Sequence, residues 1–384
     1  MTRMNKASLI PAAVTVPQKK HLISHRTYQG IPSVTQVQSG RLFCCWYSGG
    51  EDEGPDNFVL VACSDDRGET WSDAAAVVEP EAENIRAFDP EIFTTADGRL
   101  ILFWSQSYSP ENRKICDTRG GVFFAELLNY NAEPANWIWS KSYRISDGVM
   151  LNKPTLLANG NYALPISVWR KNFVGADENI VNSGTKIYIT ADNFKTFKEY
   201  GKCLMPQEEA TFDEHSIIEK KDGSLWMIIR SKHGNHESFS TDGGKTWTEP
   251  VKSSIPGPNS RLSIRRLKSS KLLLINHLPP IDESEYIRNR LAAMLSDDDG
   301  KTWYGNLMLD ARDNVSYPDC FEGEDGFIYV VYDHERYLCG DILMARFTEQ
   351  DVIEGKIVSP GSHLQICIST SGGIGREGSA VKAD

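Results

Sequence analysis

The stretch Ser64-Asp65-Asp66-Arg67-Gly68-Glu69-Thr70-Trp71 follows the pattern S-x-D-x-G-x-T-W, which recurs at residues 240–247 (STDGGKTW) and 296–303 (SDDDGKTW). A degraded copy, TADNFKTF, occupies residues 190–197. In such a turn the aspartate can accept backbone N–H groups, the glycine supplies an unusual φ, and the tryptophan can pack between neighbouring units. We therefore interpret each copy as a fastener of a β-hairpin, with a structural and not a catalytic role.

A second, longer repeat surrounds these fasteners. Six short turn sequences, centred on residues 40, 98, 160, 223, 270 and 326, each lead into an apolar run such as Leu100-Ile101-Leu102-Phe103-Trp104. Asp-Gly between β-rich runs indicates a hairpin, because glycine reaches positive φ without steric cost. Intervals of roughly 50 to 60 residues fit four-stranded blades that bury their sheet faces only by stacking in a ring. Long amphipathic helical patterns are absent, so the sequence predicts an all-β six-bladed β-propeller of four-stranded antiparallel blades.

The repeat also sets the expected domain limits. Residues 1–20 precede the first repeat unit and are predicted to be an N-terminal extension. The propeller is predicted over residues 21–366, and the Gly/Ser-rich residues 367–384 are expected to form a tail outside the fold.

Composition excludes several classes of function. The chain has 384 residues and a formal charge of −11 without a basic run, so it lacks the electrostatic footprint of a nucleic-acid-binding protein. The sequence contains no apolar stretch of about 18 residues, so no membrane span is predicted. Eight cysteines are scattered without a CxxC pair, so neither a metal site nor another cofactor is expected. Free thiols favour a reducing, cytoplasmic location, unless a leader was removed ahead of residue 1.

The repeats, together with three local segments, make the chain resemble the sialidase (neuraminidase) superfamily, whose propellers carry Asp boxes, also called BNR repeats. In the segment from Asp213 to Ser231, the resemblance implies that Glu214 assists the nucleophile and Arg230 binds a carboxylate. In Val315-Ser316-Tyr317-Pro318-Asp319 it implies that Tyr317 is the nucleophile. A neutral phenol avoids the repulsion that a carboxylate nucleophile would meet at a carbon bearing a carboxylate.

The segment Arg288-Asn289-Arg290-Leu291 resembles the site of another clamp arginine. We select Arg288, with Arg290 as the competitor, because strand alternation would place both on one face. Two arginines can bind a planar carboxylate through paired N–H donors.

The chain departs from the superfamily pattern at two places. Where sialidases carry an arginine in Tyr-Arg-Ile-Pro, residues 28–32 read Tyr-Gln-Gly-Ile-Pro, without that arginine. The acid/base aspartate should fall in the loop of residues 49–56, where the best register lands on Glu53, with Asp52 and Asp56 close by. A glutamic or an aspartic acid in this loop could protonate a leaving oxygen if its pKa were raised. The missing arginine leads us to expect weak binding of sialic-acid-type substrates.

Three further polar residues are predicted to contact substrate. Arg86 and Asp89 lie in the Arg-Ala-Phe-Asp-Pro run at the start of the second blade, and Arg261 opens the fifth blade. Loops at these positions line a propeller mouth, whereas the prolines beside them are interpreted as strand-start punctuation.

The predicted function is that of a retaining exo-glycosidase of sialidase type. Its substrate would be an oligosaccharide or glycoconjugate with a terminal, acidic sugar, and neither a nucleic acid nor a membrane is expected as a partner. Two alternatives remain open at this stage. One is a polysaccharide lyase that acts on uronic-acid glycans, and the other is a carbohydrate-binding propeller without catalysis.

Overall fold

The computed structural model describes residues 6–109, 116–117, 120–169, 173–174, 182–281 and 286–371. Six antiparallel sheets follow one another along the chain, each built around four strands in chain order. The first strands of five of the six neighbouring blade pairs contact one another around a central channel, and blades 2 and 3 share an apolar core. The prediction of an all-β six-bladed propeller is therefore confirmed.

In each blade the strands run in sequence order from the channel to the rim. Blade 1 consists of Gln29–Gln36, Leu42–Ser48, Phe58–Ser64 and Ala76–Val78. Blade 2 consists of Ile85–Thr94, Leu100–Tyr108, Gly121–Leu127 and Tyr143–Asp147. Blade 3 consists of Thr155–Leu156, Tyr162–Val168, Gly184–Thr190 and Lys198–Cys203. Blade 4 consists of His215–Glu219, Leu225–Ser231, Gly234–Ser240 and Val251–Lys252. Blade 5 consists of Ser263–Arg266, Leu272–His277, Leu291–Ser296 and Tyr304–Asp310. Blade 6 consists of Val315–Glu322, Ile328–His334, Asp341–Phe347 and His363–Ser369.

Little structure lies outside the blades in the described part of the chain. Cys116–Asp117 and Phe173–Val174 form a short parallel pair. One α-helix, Glu349–Glu354, begins at the capping residue Thr348. Short 3₁₀ turns are formed by Lys6–Leu9, Lys19–His21, Ile23–His25 and Pro134–Asn136. None of the described helices is long and apolar enough to cross a membrane.

The alternation of side chains along each strand explains how neighbouring blades pack against each other. In Leu100–Tyr108 of blade 2, Leu100, Leu102 and Trp104 pack into a core shared with blade 1. The intervening Ile101 and Phe103 pack into a core shared with blade 3. Because successive side chains point to opposite faces, one apolar run can serve two seams. The continuous apolar runs of the sequence are thus the mark of strands that are buried on both faces.

The predicted turns all lie between the first and second strands of a blade. Residues 40, 98, 160, 223, 270 and 326 have φ between 71° and 91°. Ser270 adopts this left-handed conformation without being glycine, at a modest cost in backbone energy. These turns lie at the same end of the molecule as the ends of the third strands, where the S-x-D-x-G-x-T-W turns begin. We call this end the turn face.

In all S-x-D-x-G-x-T-W turns the aspartate accepts from the threonine four residues later, and in the copies with Trp71 and Trp247 the indole also donates to the glycine carbonyl. In residues 240–247, Asp242 accepts the backbone N–H and the hydroxyl of Thr246 at 2.9 and 2.7 Å. The indole of Trp247 donates to the carbonyl of Gly244 at 3.0 Å. In the degraded copy, the Thr196 hydroxyl and N–H lower the pKa of Asp192 to about 2. The three tryptophans at positions 71, 247 and 303 each pack in the seam between their own blade and the preceding one.

The ring closes between blades 6 and 1 through buried carboxylates. Asp333 accepts the N–H of Ile31 at 2.8 Å, and Asp319 accepts the N–H of Val34 at 2.9 Å. Both aspartates come from blade 6 and are almost fully buried. Hydrogen bonds to buried charged groups are stronger than neutral ones, so these contacts hold the first and last blades together.

The ends of the described chain extend the propeller. Val14–Thr15, in the predicted N-terminal extension, pairs with Ala76–Val78 as a fifth strand of blade 1. The last strand of blade 6, His363–Ser369, runs past the predicted domain end at residue 366. The rest of the predicted tail, from residue 372, lies outside the described residues.

Candidate active site

Chain direction brings the predicted site residues to one end of the channel. First strands begin, second strands end and third strands begin at the end opposite the turn face. Glu214 immediately precedes the first strand of blade 4, and Arg230 is the second-last residue of its second strand. Tyr317 lies near the start of the first strand of blade 6, and Arg288 precedes the third strand of blade 5. We call this end the site face.

Three first strands carry the same distortion at the site face. The pairing register shifts in blades 1, 2 and 6 at Gly30/Ser33, Phe88/Glu91 and Ser316/Asp319. Each bulge holds a residue of positive φ followed by proline: Ile31 at 56°, Asp89 at 48° and Tyr317 at 52°. Proline is tolerated there because a bulge leaves its nitrogen outside the ladder. The prolines thus mark bulges, which re-aim side chains, and they lie within the strands.

Tyr317, Glu214 and Arg230 form one hydrogen-bonded cluster. Nη1 of Arg230 donates to Oε1 of Glu214 at 2.8 Å and to the phenol oxygen of Tyr317 at 2.9 Å. The phenol itself donates to the same Glu214 oxygen at 3.4 Å. Nε of Arg230 donates to Oδ1 of Asn259 at 2.7 Å, which fixes the guanidinium plane. All three clustered side chains are buried, so their interactions are weakly screened.

Opposing effects act on the ionisation of this cluster. Burial raises the pKa of Tyr317, and the Glu214 carboxylate raises it further, whereas the guanidinium groups of Arg230, Arg288 and Arg336 lower it. Burial disfavours the charge of Arg230, but Glu214 and Tyr317 outweigh this and raise the pKa of Arg230. The resting site therefore holds a neutral phenol beside a charged guanidinium and its carboxylate.

The structure separates Arg288 from its competitor Arg290. The Arg288 guanidinium lies 5.2 Å from the centre of the Tyr317 ring and donates to the carbonyl of Asn259 at 2.9 Å. Arg290 instead donates to the carbonyl of Pro279 in an exposed position. Its φ of 51° interrupts the alternation that was expected to place both arginines on one face. Arg288 is thus the arginine that the described contacts bring to Tyr317.

Among the acidic residues of the 49–56 loop, Glu53 faces the cluster. Its Oε1 accepts the Tyr28 phenol at 3.4 Å, the Tyr337 phenol at 3.4 Å and Nη1 of Arg336 at 3.3 Å. Asp52 and Asp56 are both exposed to solvent. Of these three loop carboxylates, Glu53 is the one with described contacts to Arg336 and Tyr337.

Arg336 and Tyr337 were missed in the sequence. They lie in the loop between Ile328–His334 and Asp341–Phe347, on the site face of blade 6. The Arg336 guanidinium lies 4.8 Å from the Tyr317 ring centre and 3.6 Å from Oδ2 of Asp333. The signal that could have found Arg336 was its position: it follows the second strand of its blade, close to where Arg230 lies near the end of that strand in blade 4.

Asp89 and Arg86 lie at the start of blade 2, and both are buried. The Arg86 guanidinium stacks 4.0 Å from the Phe88 ring centre. Burial raises the pKa of Asp89 to about 8; Glu53 and Glu214 add to the rise, and Arg86 opposes it. Asp89 therefore holds a proton at neutral pH and can donate a hydrogen bond.

Arg261 lies beneath Tyr317. Its guanidinium donates to Oε1 of Glu91 at 2.9 Å and to the backbone carbonyls of Tyr317 and Pro318, both at 3.1 Å. Only 2% of Arg261 is exposed. This position supports the bulge that presents Tyr317, and it differs from the substrate contact predicted for Arg261.

Three of the described side chains lie close enough together to serve as ligands of one metal ion. His334, Cys339 and Asp341 approach one another within 4.8 Å in the same hairpin as Arg336. Asp341 already accepts from both partners, with Nδ1 of His334 at 3.2 Å and Sγ of Cys339 at 3.1 Å. Burial and Asp341 raise the pKa of Cys339 to about 12, so the thiol stays protonated.

Similar folds occur among solved structures. The Hadza microbial sialidase Hz136 matches with a TM-score of 0.61 and 16% identity over 81% of this chain and 64% of that chain. The Trypanosoma rangeli sialidase in complex with sialic acid matches with a TM-score of 0.62 and 15% identity over 84% and 56%. The intramolecular trans-sialidase from Ruminococcus gnavus in complex with oseltamivir carboxylate matches with a TM-score of 0.64 and 14% identity over 91% and 99%.

These identities are low, so the likeness concerns the fold. The chain spans 64% and 56% of the length of the Hadza and Trypanosoma chains, but nearly all of the Ruminococcus chain. No curated protein matches the sequence. The family model described as a BNR repeat-like domain matches residues 40–330, which is most of the chain. With the six blades and this match, the chain belongs to the family of proteins with a BNR repeat-like domain.

Proposed function

We propose that this protein is a retaining exo-glycosidase that removes a terminal acidic sugar from an oligosaccharide or glycoconjugate. The observation that carries the proposal is the buried cluster in which Arg230 donates to both Tyr317 and Glu214. A carboxylate within hydrogen-bond reach can act as the base that activates a phenol, and a bridging guanidinium can stabilise the phenolate as it forms. Two structural neighbours hold sialic acid and oseltamivir carboxylate, which supports an acidic ligand.

The proposed first step forms a bond from the Tyr317 oxygen to the anomeric carbon and breaks the bond to the leaving oxygen. Glu214 takes the phenol proton as attack proceeds, and Arg230 stabilises the oxygen as it gains charge. Glu53 supplies a proton to the leaving oxygen. Three donors converge on one Glu53 oxygen, so its position is well defined.

The second step reverses the roles. Water, deprotonated by Glu53, attacks the anomeric carbon, and the Tyr317 oxygen leaves and recovers its proton from Glu214. Two displacements at one carbon give net retention of configuration. Arg230 and Arg288 are proposed to bind the acidic group, while Arg86 and Asp89 are proposed to contact sugar hydroxyls. Asp89 fits this task because, when protonated, it can both donate and accept hydrogen bonds.

The test is product analysis by proton NMR. The protein is incubated with glycosides of sialic acids, other ulosonic acids, uronic acids and neutral sugars, and the spectrum is followed from the earliest turnover. We expect a released monosaccharide that has gained water and that first appears as the anomer of the starting glycoside. An inverted first product would overturn the tyrosine mechanism. An unsaturated uronate would establish a lyase, and an intact panel that nonetheless binds would establish a binding protein.

A further inference from the structure

Gly30 occupies the position of the missing arginine. Counting back from Ile31-Pro32, it is the residue where the pattern Tyr-Arg-Ile-Pro carries its arginine. Its φ lies outside the left-handed region, so its backbone does not call for glycine. A Cβ at residue 30 would lie 2.2 Å from Cδ and 2.7 Å from Cγ of Arg336. The space that a side chain at residue 30 would need is therefore filled by an arginine from blade 6.

Arg336 is fixed and directed at the nucleophile. Its side chain is 10% exposed, with Nε 3.6 Å from Oδ2 of Asp333 and Nη1 3.3 Å from Oε1 of Glu53. Asp333 is itself held by the N–H of Ile31 at 2.8 Å and the hydroxyl of Ser316 at 2.7 Å. An arginine held by a buried carboxylate keeps one orientation, as ligand recognition by a guanidinium requires.

Three guanidinium groups then surround one phenol. Nη1 of Arg230 lies 2.9 Å from the Tyr317 oxygen, while Arg288 and Arg336 lie 5.2 and 4.8 Å from the ring centre. Arg288 donates to a neutral backbone carbonyl, so that contact leaves its charge uncompensated. An anion bound by all three must lie beside the carbon that Tyr317 attacks.

We infer that Arg336 is the third arm of a carboxylate clamp with Arg230 and Arg288, delivered from blade 6 in place of blade 1. The inference rests on the proposed function and narrows its substrate to sugars whose carboxylate is attached to the reacting carbon. A uronic acid carries its carboxylate on another ring carbon, away from the three guanidiniums. The inference replaces the expectation that loss of the blade 1 arginine weakens such binding.

The experiment measures binding by calorimetry, without turnover. The probes are the glycals of two ulosonic acids, N-acetylneuraminic acid and ketodeoxyoctonic acid, each as the free acid and as its neutral methyl ester. Wild-type protein should bind at least one free acid more tightly than its ester. Arg336→Met should weaken binding of that acid by about 10- to 100-fold and leave the ester within a few-fold, because only the acid loses a charged hydrogen bond.

A positional swap tests where the arm comes from. Gly30→Ala should weaken binding of the acid as well, since its Cβ displaces the Arg336 chain. The double variant Gly30→Arg with Arg336→Ala returns the arm to blade 1 and should bind the acid at least about tenfold more tightly than Arg336→Ala alone. Arg312→Met removes the same charge from a partly exposed arginine paired with Asp310, and it should bind like wild type.

The outcomes separate this inference from the proposed function. Equal weakening of acid and ester in Arg336→Met would make Arg336 a packing residue and overturn the inference. So would a wild-type protein that binds neither acid, even if it hydrolyses another sugar with retention. Conversely, Arg336-dependent binding of an acid without hydrolysis of any glycoside would sustain the clamp and overturn the proposed hydrolase. If the swapped chain does not fold, the acid-to-ester ratio in Arg336→Met decides alone.

Discussion

At the scale of single residues, the site depends on a backbone conformation that most residues avoid. Tyr317 has a φ of 52°, which for a bulky side chain costs about 1 to 3 kcal/mol. Hydrogen bonds from Arg261 to the carbonyls of Tyr317 and Pro318 offset part of that cost. The strained bulge turns the phenol out of the strand and towards Glu214 and Arg230. Arg261 is therefore a positioning residue for the proposed nucleophile.

Removing the phenol oxygen should stop turnover. Tyr317→Phe keeps the ring under Arg288 and Arg336 but removes the atom that forms the glycosyl bond, so we expect kcat to fall by roughly 10³-fold or more. Initial rates and a thermal melt measure activity and folding separately. The matched change Tyr200→Phe, on the rim strand of blade 3, should keep the wild-type rate. A near-normal rate in Tyr317→Phe would exclude Tyr317 from the mechanism.

Asp89 should make stability depend on pH. Its folded-state pKa of about 8 exceeds the ordinary 3.8, so the folded protein holds a proton that the unfolded chain releases. This contribution to stability is complete below about pH 4 and is lost as pH rises through about 8. Asp89→Asn removes the loss. We expect the variant's advantage in unfolding free energy to grow by about 3 to 4 kcal/mol between about pH 5 and pH 8.

Urea titrations at several pH values measure that difference. Asp192→Asn is the control, because the pKa of Asp192 is lowered to about 2 and its titration lies below the window. Its difference from wild type should stay constant from about pH 5 to pH 8. Parallel pH curves for wild type and Asp89→Asn would show that Asp89 ionises normally.

At the scale of the structural element, the turns that hold the blades together and the residues of the candidate site lie at opposite ends of the blade. The S-x-D-x-G-x-T-W turns follow third strands, whereas Glu214 and Tyr317 lie at the starts of first strands. Each fastener also reaches into the preceding blade: a Cβ at Gly244 would lie 2.9 Å from Cδ1 of Ile187 in blade 3. The glycine thus permits the approach of two blades, and the tryptophan fills the seam beside it.

Trp247→Ala should weaken the seam between blades 3 and 4 without affecting the site. Trp247 is partly buried against the core of Ile187, Ile217 and Leu225, so we expect the unfolding free energy to fall by about 2 kcal/mol. KM and kcat should stay near wild type below the melting temperature. Trp247→Phe should lose less stability, since it retains part of the buried ring. A loss of kcat in the folded Trp247→Ala variant would contradict the separation of the two faces.

At the scale of the whole molecule, a buried ionic network ties opposite blades together across the channel. Lys153 of the blade 3 segment donates to Asp319 of blade 6 and to Ser33 of blade 1, and lies 3.6 Å from Glu91 of blade 2. Arg261, which opens blade 5, bonds the other oxygen of Glu91. Burial lowers the pKa of Lys153 to about 8, although the Glu91 carboxylate opposes the shift. The network lies below Tyr317 and joins ring closure to site geometry.

Asp319→Ala should therefore destabilise the entire ring. The change leaves buried Lys153 and the N–H of Val34 without their shared acceptor, and breaking one partner of a buried pair costs about 3 to 5 kcal/mol. Guanidinium titration followed by tryptophan fluorescence measures the loss. Glu81→Ala removes the same charge from an exposed position and should change stability by less than about 0.5 kcal/mol. Equal stability of the two variants would mean that the network does not support closure.

Much of this architecture could be predicted from the chain alone, because its determinants are local. The six turns specify hairpins through residues that accept positive φ, and apolar runs specify strands buried on both faces. Glu214, Arg230 and Tyr317 were selected because short segments around them resemble the sialidase superfamily, and the structure brings their side chains into contact. Such patterns extend over a few residues, so they can be identified in the sequence without knowledge of the fold.

The remaining features depend on the tertiary structure, because they join residues far apart in the chain or follow from bulges that break alternation. Arg290 turns away from Arg288 at a φ of 51°, and Arg261 supports Tyr317 from below. Gly30 and Arg336 come together only when blade 6 closes against blade 1. Local patterns thus specify the six-bladed ring, and the resemblance to sialidases selected the tyrosine, glutamate and arginine that lie together at one mouth. Only ring closure decided which other arginines reach that tyrosine, since closure places side chains from both ends of the chain in one space.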